Sequence, residues 1–150
     1  MSEISVPRPR ILVVLPESKS AKELVVSLEE DEADVLWVHE GQSAYDILDT
    51  EVVNALIYPL KQTRIDGLRL QKVARERNAS ICAIAIATPE EIELGIEAMR
   101  EGAYDFQLMP LNFAKIKAVL ERGLSYQQLV GEVSNLQRRL DERYRFGGIA

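Results

Sequence analysis

Apolar runs alternate with amphipathic stretches five times along these 150 residues. Residues 10–15 carry Ile-Leu-Val-Val-Leu without a break, which predicts a strand buried on both faces. Ser18 is placed to cap a helix running to about Glu30, with Leu24, Val25 and Leu28 inward. Residues 35–39 form the second predicted strand. Ser43 is the expected cap of the next helix, which carries Tyr45, Ile47 and Leu48. Residues 52–58 form the third strand, and Asp66 caps a helix to Arg77 with Leu68, Leu70, Val73 and Ala74. Residues 81–87 form the fourth strand. Glu90, Glu91 and Glu93 crowd a helix start, where the helix dipole favours acids. That helix has Ile92, Ile96 and Met99 as apolar positions and ends at Gly102. Residues 104–108 form the fifth strand, and Asn112 opens the last helix.

Strict β/α alternation with short links implies a parallel sheet covered by helices on both faces. The expected architecture is α/β and flavodoxin-like, with strand order 2-1-3-4-5. The last helix is too long for such a sheet. It runs from Asn112 to about Arg143, about 45 Å at about 1.5 Å per residue. Phe113, Ile116, Val119 and Leu120 should pack on the sheet. Leu129, Val133, Leu136 and Leu140 then repeat at spacings of 4, 3 and 4, a short heptad seam suited to a partner helix. The expected division is a loose lead-in over 1–9, a domain over 10–125 and a helical linker over 126–150.

Charge is uneven. Residues 1–110 hold 20 acids and 11 bases, and residues 111–150 hold 4 acids and 7 bases. An acidic body lacks the clustered Lys and Arg that phosphate backbones require, so direct nucleic-acid binding is not expected. With one cysteine, Cys82, inside an apolar run, a buried structural thiol is expected. No apolar stretch reaches membrane-spanning length and no signal peptide is evident, which points to a cytoplasmic protein.

Several segments resemble the receiver domain of bacterial response regulators. The first strand, Ile11-Leu12-Val13-Val14, is one. Ile65-Asp66-Gly67-Leu68 resembles the passage after a receiver's phosphorylation site. Glu97-Ala98-Met99-Arg100-Glu101-Gly102-Ala103-Tyr104-Asp105-Phe106 is the most specific match, and Met109-Pro110-Leu111 follows where Lys-Pro-Phe is usual. The resemblance covers about residues 9–125 and implies a CheY-like fold. It also implies that the reaction centre is degenerate. The two acid-pocket positions fall on Leu15 and Pro16, and the phosphoacceptor position falls on Pro59. The hydroxyl position falls on Ala87, with Thr88 one place away, and the lysine position on Met109. Phe106 occupies the aromatic switch position. Magnesium requires hard oxygen ligands, usually one or two carboxylates, which these side chains do not offer. Phosphoryl transfer requires a nucleophile and cationic stabilisation, which Pro59 and Met109 do not supply.

The tail, Asn135-Leu136-Gln137-Arg138-Arg139-Leu140 and then Tyr144-Arg145-Phe146-Gly147-Gly148-Ile149, resembles the linker of sigma-54-dependent (NtrC-type) transcription regulators. That resemblance implies a downstream AAA+ ATPase and a DNA-binding domain, with Gly147-Gly148 as a hinge. The resulting expectation is a non-catalytic pseudo-receiver without cofactor or metal, acting as a regulatory and dimerisation module. Its contact face is the fourth helix, fifth strand and fifth helix. A second reading is a ligand-sensing pseudo-receiver, its pocket lined by Leu15, Pro16, Pro59 and Met109; a third is a flavodoxin-like enzyme. The acid run Glu29-Glu30-Asp31-Glu32 with Asp34 lacks the spacing of a calcium loop and reads as solvated. His39 reads as a partly exposed structural histidine, and Trp37 as packing. No phosphate-cradling glycine motif and no nucleophilic triad is present.

Overall fold

The computed structural model describes residues 8–147, excluding the side chains of 132–135 and 142–147. In chain order the elements are β1 (Arg10–Val14), α1 (Lys19–Glu30), β2 (Asp34–Val38), α2 (Gly41–Thr50) and β3 (Ala55–Pro59). A hairpin of β4 (Lys61–Gln62) and β5 (Ile65–Asp66) follows, then α3 (Gly67–Arg77) and β6 (Cys82–Ala87). A 3-10 turn (Pro89–Glu91), α4 (Ile92–Arg100), β7 (Asp105–Leu108) and α5 (Phe113–Gly147) complete the chain. The five long strands form one parallel sheet in the order β2-β1-β3-β6-β7. Counted without the hairpin, this is the expected 2-1-3-4-5 order.

Strand alternation divides the core in two. Ile11, Val13, Ile57, Ile84 and Ile86 pack under α1 and α5 with Leu24, Leu28, Ile116, Leu120 and Leu124. Leu12, Val14, Leu56, Tyr58, Ala83 and Ala85 pack under α2, α3 and α4 with Leu48, Leu70, Ala74 and Ala98. Because successive side chains point to opposite faces, a continuous apolar run is what a doubly covered strand needs.

Ser18 caps α1 by accepting the Ala21 N–H at 3.1 Å, and Asp66 caps α3 by accepting the Arg69 N–H at 3.3 Å. Ser43 caps nothing. It lies inside α2, which starts at Gly41 after Glu40. A tertiary contact sets that start: the Gly41 N–H donates to the Arg64 carbonyl at 2.9 Å, and a Cβ at Gly41 would lie 3.1 Å from the same oxygen. Ile92, Ile96 and Met99 all face outward on α4, at 43%, 44% and 40% exposure. The buried face uses Gly95 and Ala98 instead, because the Phe106 ring lies against α4. A Cβ on Gly95 would come within 2.6 Å of it.

The acid run is also not simply solvated. Asp31 is half-buried and pairs with Lys117 of α5 at 3.1 Å, and Asp34 accepts two bonds from Arg10. Glu29, Glu30 and Glu32 are exposed. Trp37 is partly buried, and its indole N–H donates to the Leu15 carbonyl at 2.9 Å. The exposed His39 ring stands edge-on to it, with centroids 5.0 Å apart.

The last helix has 35 residues, about 50 Å at about 1.5 Å per residue, and it passes residue 125 unbroken. Contact with the body continues just beyond that division. Gln127 donates to the Asn54 and Ser80 carbonyls at 2.8 and 3.1 Å and accepts from the Asn54 side chain at 3.1 Å. Leu129, Leu136 and Leu140 are exposed at 57%, 56% and 46%. The Val133 side chain, Gly148 of the expected hinge and residues 1–7 of the lead-in lie outside the described residues. At the other end Pro9 is already buried, its carbonyl accepting from the Asp34 N–H at 2.9 Å.

Candidate functional site

In an open parallel sheet, ligands gather at the carboxyl ends of the strands. Here β1, β3, β6 and β7 end around one cavity of about 270 Å³. Leu15, Pro16, Pro59, Ala87 and Met109 all line it, together with Ser18, Ser20, Gln62, Ile86, Thr88, Glu91 and Leu111. The five positions singled out from sequence are therefore neighbours in space. Phe106 is not among the lining residues; its ring packs toward α4 in the other core.

Local bonding fixes each of these positions. The Leu15 N–H donates to the Val38 carbonyl at 3.1 Å, and the Leu15 carbonyl takes the Trp37 indole, so the loop after β1 is held at both groups. Pro59 is buried and stands opposite Ile86 in the β3–β6 register. A proline disrupts a central strand when its missing N–H belongs to the ladder. The Leu60 N–H faces β6, donating to the Ile86 carbonyl at 3.1 Å, so the Pro59 nitrogen faces β1. The β1–β3 ladder ends at Val13 opposite Ile57, so the proline's missing N–H falls at the end of that ladder rather than inside it.

Gly67 permits the tight return from β5 into α3. A Cβ there would lie 2.2 Å from the Pro59 carbonyl oxygen and 2.7 Å from the Leu60 Cα. Ala87 is 1% exposed, and its carbonyl accepts the Met109 N–H at 2.8 Å. That bond sets Met109 beside β6, and a cis bond joins Met109 to Pro110. Thr88 opens the 3-10 turn. It forms a capping box with Glu91, whose carboxylate accepts the Thr88 N–H at 3.0 Å.

The site's chemistry follows from these groups. Glu91 is the charged side chain on the cavity wall. Among the described residues, no group of three His, Cys, Asp or Glu is arranged to hold a metal ion. No arginine or lysine among the described residues lines the cavity to stabilise a transferring phosphoryl group. Two buried titratable groups lie elsewhere. Tyr58, one residue before Pro59, bonds to the Gln71 side-chain oxygen, and Gln71 donates to the Ala98 carbonyl at 2.9 Å. Burial pushes the Tyr58 hydroxyl well above its usual range. Burial also pushes the Cys82 thiol up to about 12, with Asp105 adding to the effect. Neither group meets the cavity.

Sequence reasoning did not find the β4–β5 hairpin, the Trp37 bond or the Gln127 clamp. The hairpin's signal was present in the polar Lys61-Gln62-Thr63-Arg64 stretch between Leu60 and Ile65. Arg64 takes a positive φ of 67° at its turn and pairs with Glu40 at 2.7 Å.

No family model matches the chain. Regulatory protein AtoC of Escherichia coli K12 is 21% identical over 140 residues, covering 93% of this chain and 30% of that protein. The C4-dicarboxylate transport transcriptional regulatory protein DctD of Pseudomonas aeruginosa is 30% identical over 93 residues, covering 62% of this chain and 20% of that protein. The chain thus spans less than a third of the length of these relatives. A response regulator receiver domain protein from Clostridium thermocellum superposes with a TM-score of 0.74 at 18% identity, covering 81% of this chain and 98% of that one. With the sheet order, these relatives and that neighbour, the chain has the receiver fold of response regulators and is similar to the receivers of sigma-54-dependent (NtrC-type) transcription regulators.

Proposed function

We propose that this receiver has lost phosphoryl chemistry and works by contact, as a regulatory and dimerisation module of a cytoplasmic transcription regulator. The observation that carries the reading is the cavity wall: Leu15, Pro16, Pro59, Ala87 and Met109 meet at the carboxyl end of the sheet. In this reading they hold the acid-pocket, phosphoacceptor, hydroxyl and lysine positions. A nucleophile, a carboxylate pair for magnesium and a cation for the phosphoryl oxygens are the three things the reaction needs, and these residues provide none of them.

The contact face runs over α4, β7 and α5. It exposes Ile92, Ile96, Met99 and Leu108 at 40–44%, more apolar surface than a lone side chain needs to explain. Leu129, Val133, Leu136 and Leu140 extend the dimer along the helix. The relatives' greater length supports an AAA+ ATPase and DNA-binding domain downstream of this segment in the whole protein.

Sedimentation of the chain tests the dimer. A concentration-dependent dimer is expected, unchanged by beryllofluoride and magnesium, and weakened about tenfold or more by Leu136→Glu, which places a charge in the seam. A monomer at all concentrations, or a dimer that forms only with beryllofluoride, contradicts the reading.

A further inference from the structure

The same cavity is more than a spent reaction centre. We infer that it binds a small, uncharged, mainly hydrocarbon molecule carrying one or two hydrogen-bonding oxygens. This inference needs the cavity's geometry alone, and it stands whether or not the chain dimerises.

Volume comes first. About 270 Å³ falls just below the usual range of ligand pockets, about 300 to 1,000 Å³, so only a small guest fits. The cavity is too small for a helix and suits a compact ring molecule. The wall chemistry comes second. Apolar residues, among them Leu15, Pro59, Ile86, Ala87, Met109 and Leu111, supply most of the lining. Water there has few partners, so an apolar guest displaces it at little cost.

The polar groups then select among apolar guests. The Ser18 hydroxyl accepts the Ala21 N–H at 3.1 Å, and the Ser20 hydroxyl lies 3.4 Å from it. If the two hydroxyls bond to each other, one of their hydrogens still remains to donate to a ligand oxygen. Gln62 offers an amide from the hairpin side. Charge excludes anions. Among the described residues no Lys or Arg lines the wall, while Glu91 adds a negative group already engaged by the Thr88 N–H. A carboxylate or phosphate would lose its hydration without gaining a cationic partner. The wider grooves beside α2 and along β7 and α5, about 640 and 970 Å³, are lined by charged groups such as Arg64, Arg69, Lys115 and Arg122. They lack this apolar character.

The test uses the 150-residue chain and methyl-resolved NMR, titrated with cyclohexanol and indole. Cyclohexanecarboxylate and inorganic phosphate serve as charged comparators. Saturable shifts confined to the methyls of Leu15, Ile86, Ala87 and Met109 are expected for the neutral probes. Binding of the carboxylate should be at least about tenfold weaker, as the missing cation requires. Ser20→Phe fills the mouth and should abolish the shifts while leaving the thermal midpoint unchanged. Met109→Glu, at an exposed position, should weaken neutral probes if Ser20→Phe fails to fold. The inference is overturned by no saturable shift with either neutral probe. It is equally overturned by shifts that neither substitution alters, or by carboxylate binding as tight as cyclohexanol.

Discussion

The two ends of the sheet are built from opposite materials. The amino end is polar and cross-bonded. Arg10 reaches Asp34 and Glu51, Asn78 donates to the Val53 carbonyl at 3.1 Å, and Gln127 ties α5 to Asn54 and Ser80. The carboxyl end, where a sheet of this kind places its ligands, is walled by Leu15, Pro59, Ile86, Ala87 and Met109. Side-chain hydrogen bonds and ion pairs fasten the scaffold end, while apolar packing and mostly backbone bonds shape the cavity wall, with the Trp37 indole and the Glu91 carboxylate as side-chain exceptions. A domain selected for chemistry concentrates its charged groups at the site. Here the charged Arg10, Asp34 and Glu51 pair at the amino end, and Glu91 is the charged side chain on the cavity wall.

The comparison can be broken most severely at the carboxyl end by steric insult. Gly67→Val would drive a side chain into the Pro59 carbonyl, 2.2 Å from the Cβ position. The expected loss is about 3 kcal/mol or more, read from chemical denaturation. A loss below about 1 kcal/mol would show that the loop around Pro59 yields easily, contrary to a tightly packed site end.

At the amino end the sensitive group is polar. Gln127→Ala removes three bonds that tether α5. It should cost about 1–3 kcal/mol, because partly buried partners are left unpaired. Hydrogen exchange should also quicken in the helix beyond residue 124. If stability and exchange are both unchanged, the tether does not hold the helix.

Alkaline titration sharpens the contrast further. Cys82 starts β6 at the amino end, and burial raises its thiol to about 12. The unfolded thiol ionises near pH 8.5. The unfolded chain therefore releases this proton first, and folding stability falls as pH rises from the unfolded value toward about 12. Below the unfolded value the contribution is fully present. Tyr58, also raised, adds a second decline beginning near the unfolded tyrosine value of about 10. Cys82→Ala should flatten the first part of this decline in urea melts at successive pH values; an unchanged slope would remove the thiol as its cause.

The smallest effect belongs to Met109→Lys. Met109 is 40% exposed, so stability should change by no more than about 0.5 kcal/mol. Placing a cation here should also bring no phosphoryl uptake, since Pro59 supplies no nucleophile.

Much of this difference was legible before any coordinates. Continuous apolar runs named the doubly covered strands, and Ser18 and Asp66 announced their helices through cap chemistry that depends on near neighbours alone. The apolar residues at strand ends 15, 59, 87 and 109 could be read from the resemblance, and the fold brings them together. What escaped the sequence depends on distant contacts. Ser43 has the right chemistry for a cap, but the Gly41–Arg64 bond starts the helix earlier. Ile92, Ile96 and Met99 form an apolar stripe that periodicity alone would send inward, yet the Phe106 ring makes small Gly95 and Ala98 the buried face. Gln127 looked like linker because its partners lie 47 and 73 residues away.

The central claim is that the site end packs and binds but does not react. Intact-mass spectrometry after incubation with acetyl phosphate and magnesium tests it most directly. The account requires no phosphoryl adduct on the wild-type chain. A stoichiometric adduct, mapped to any residue lining the cavity around Pro59, would contradict it.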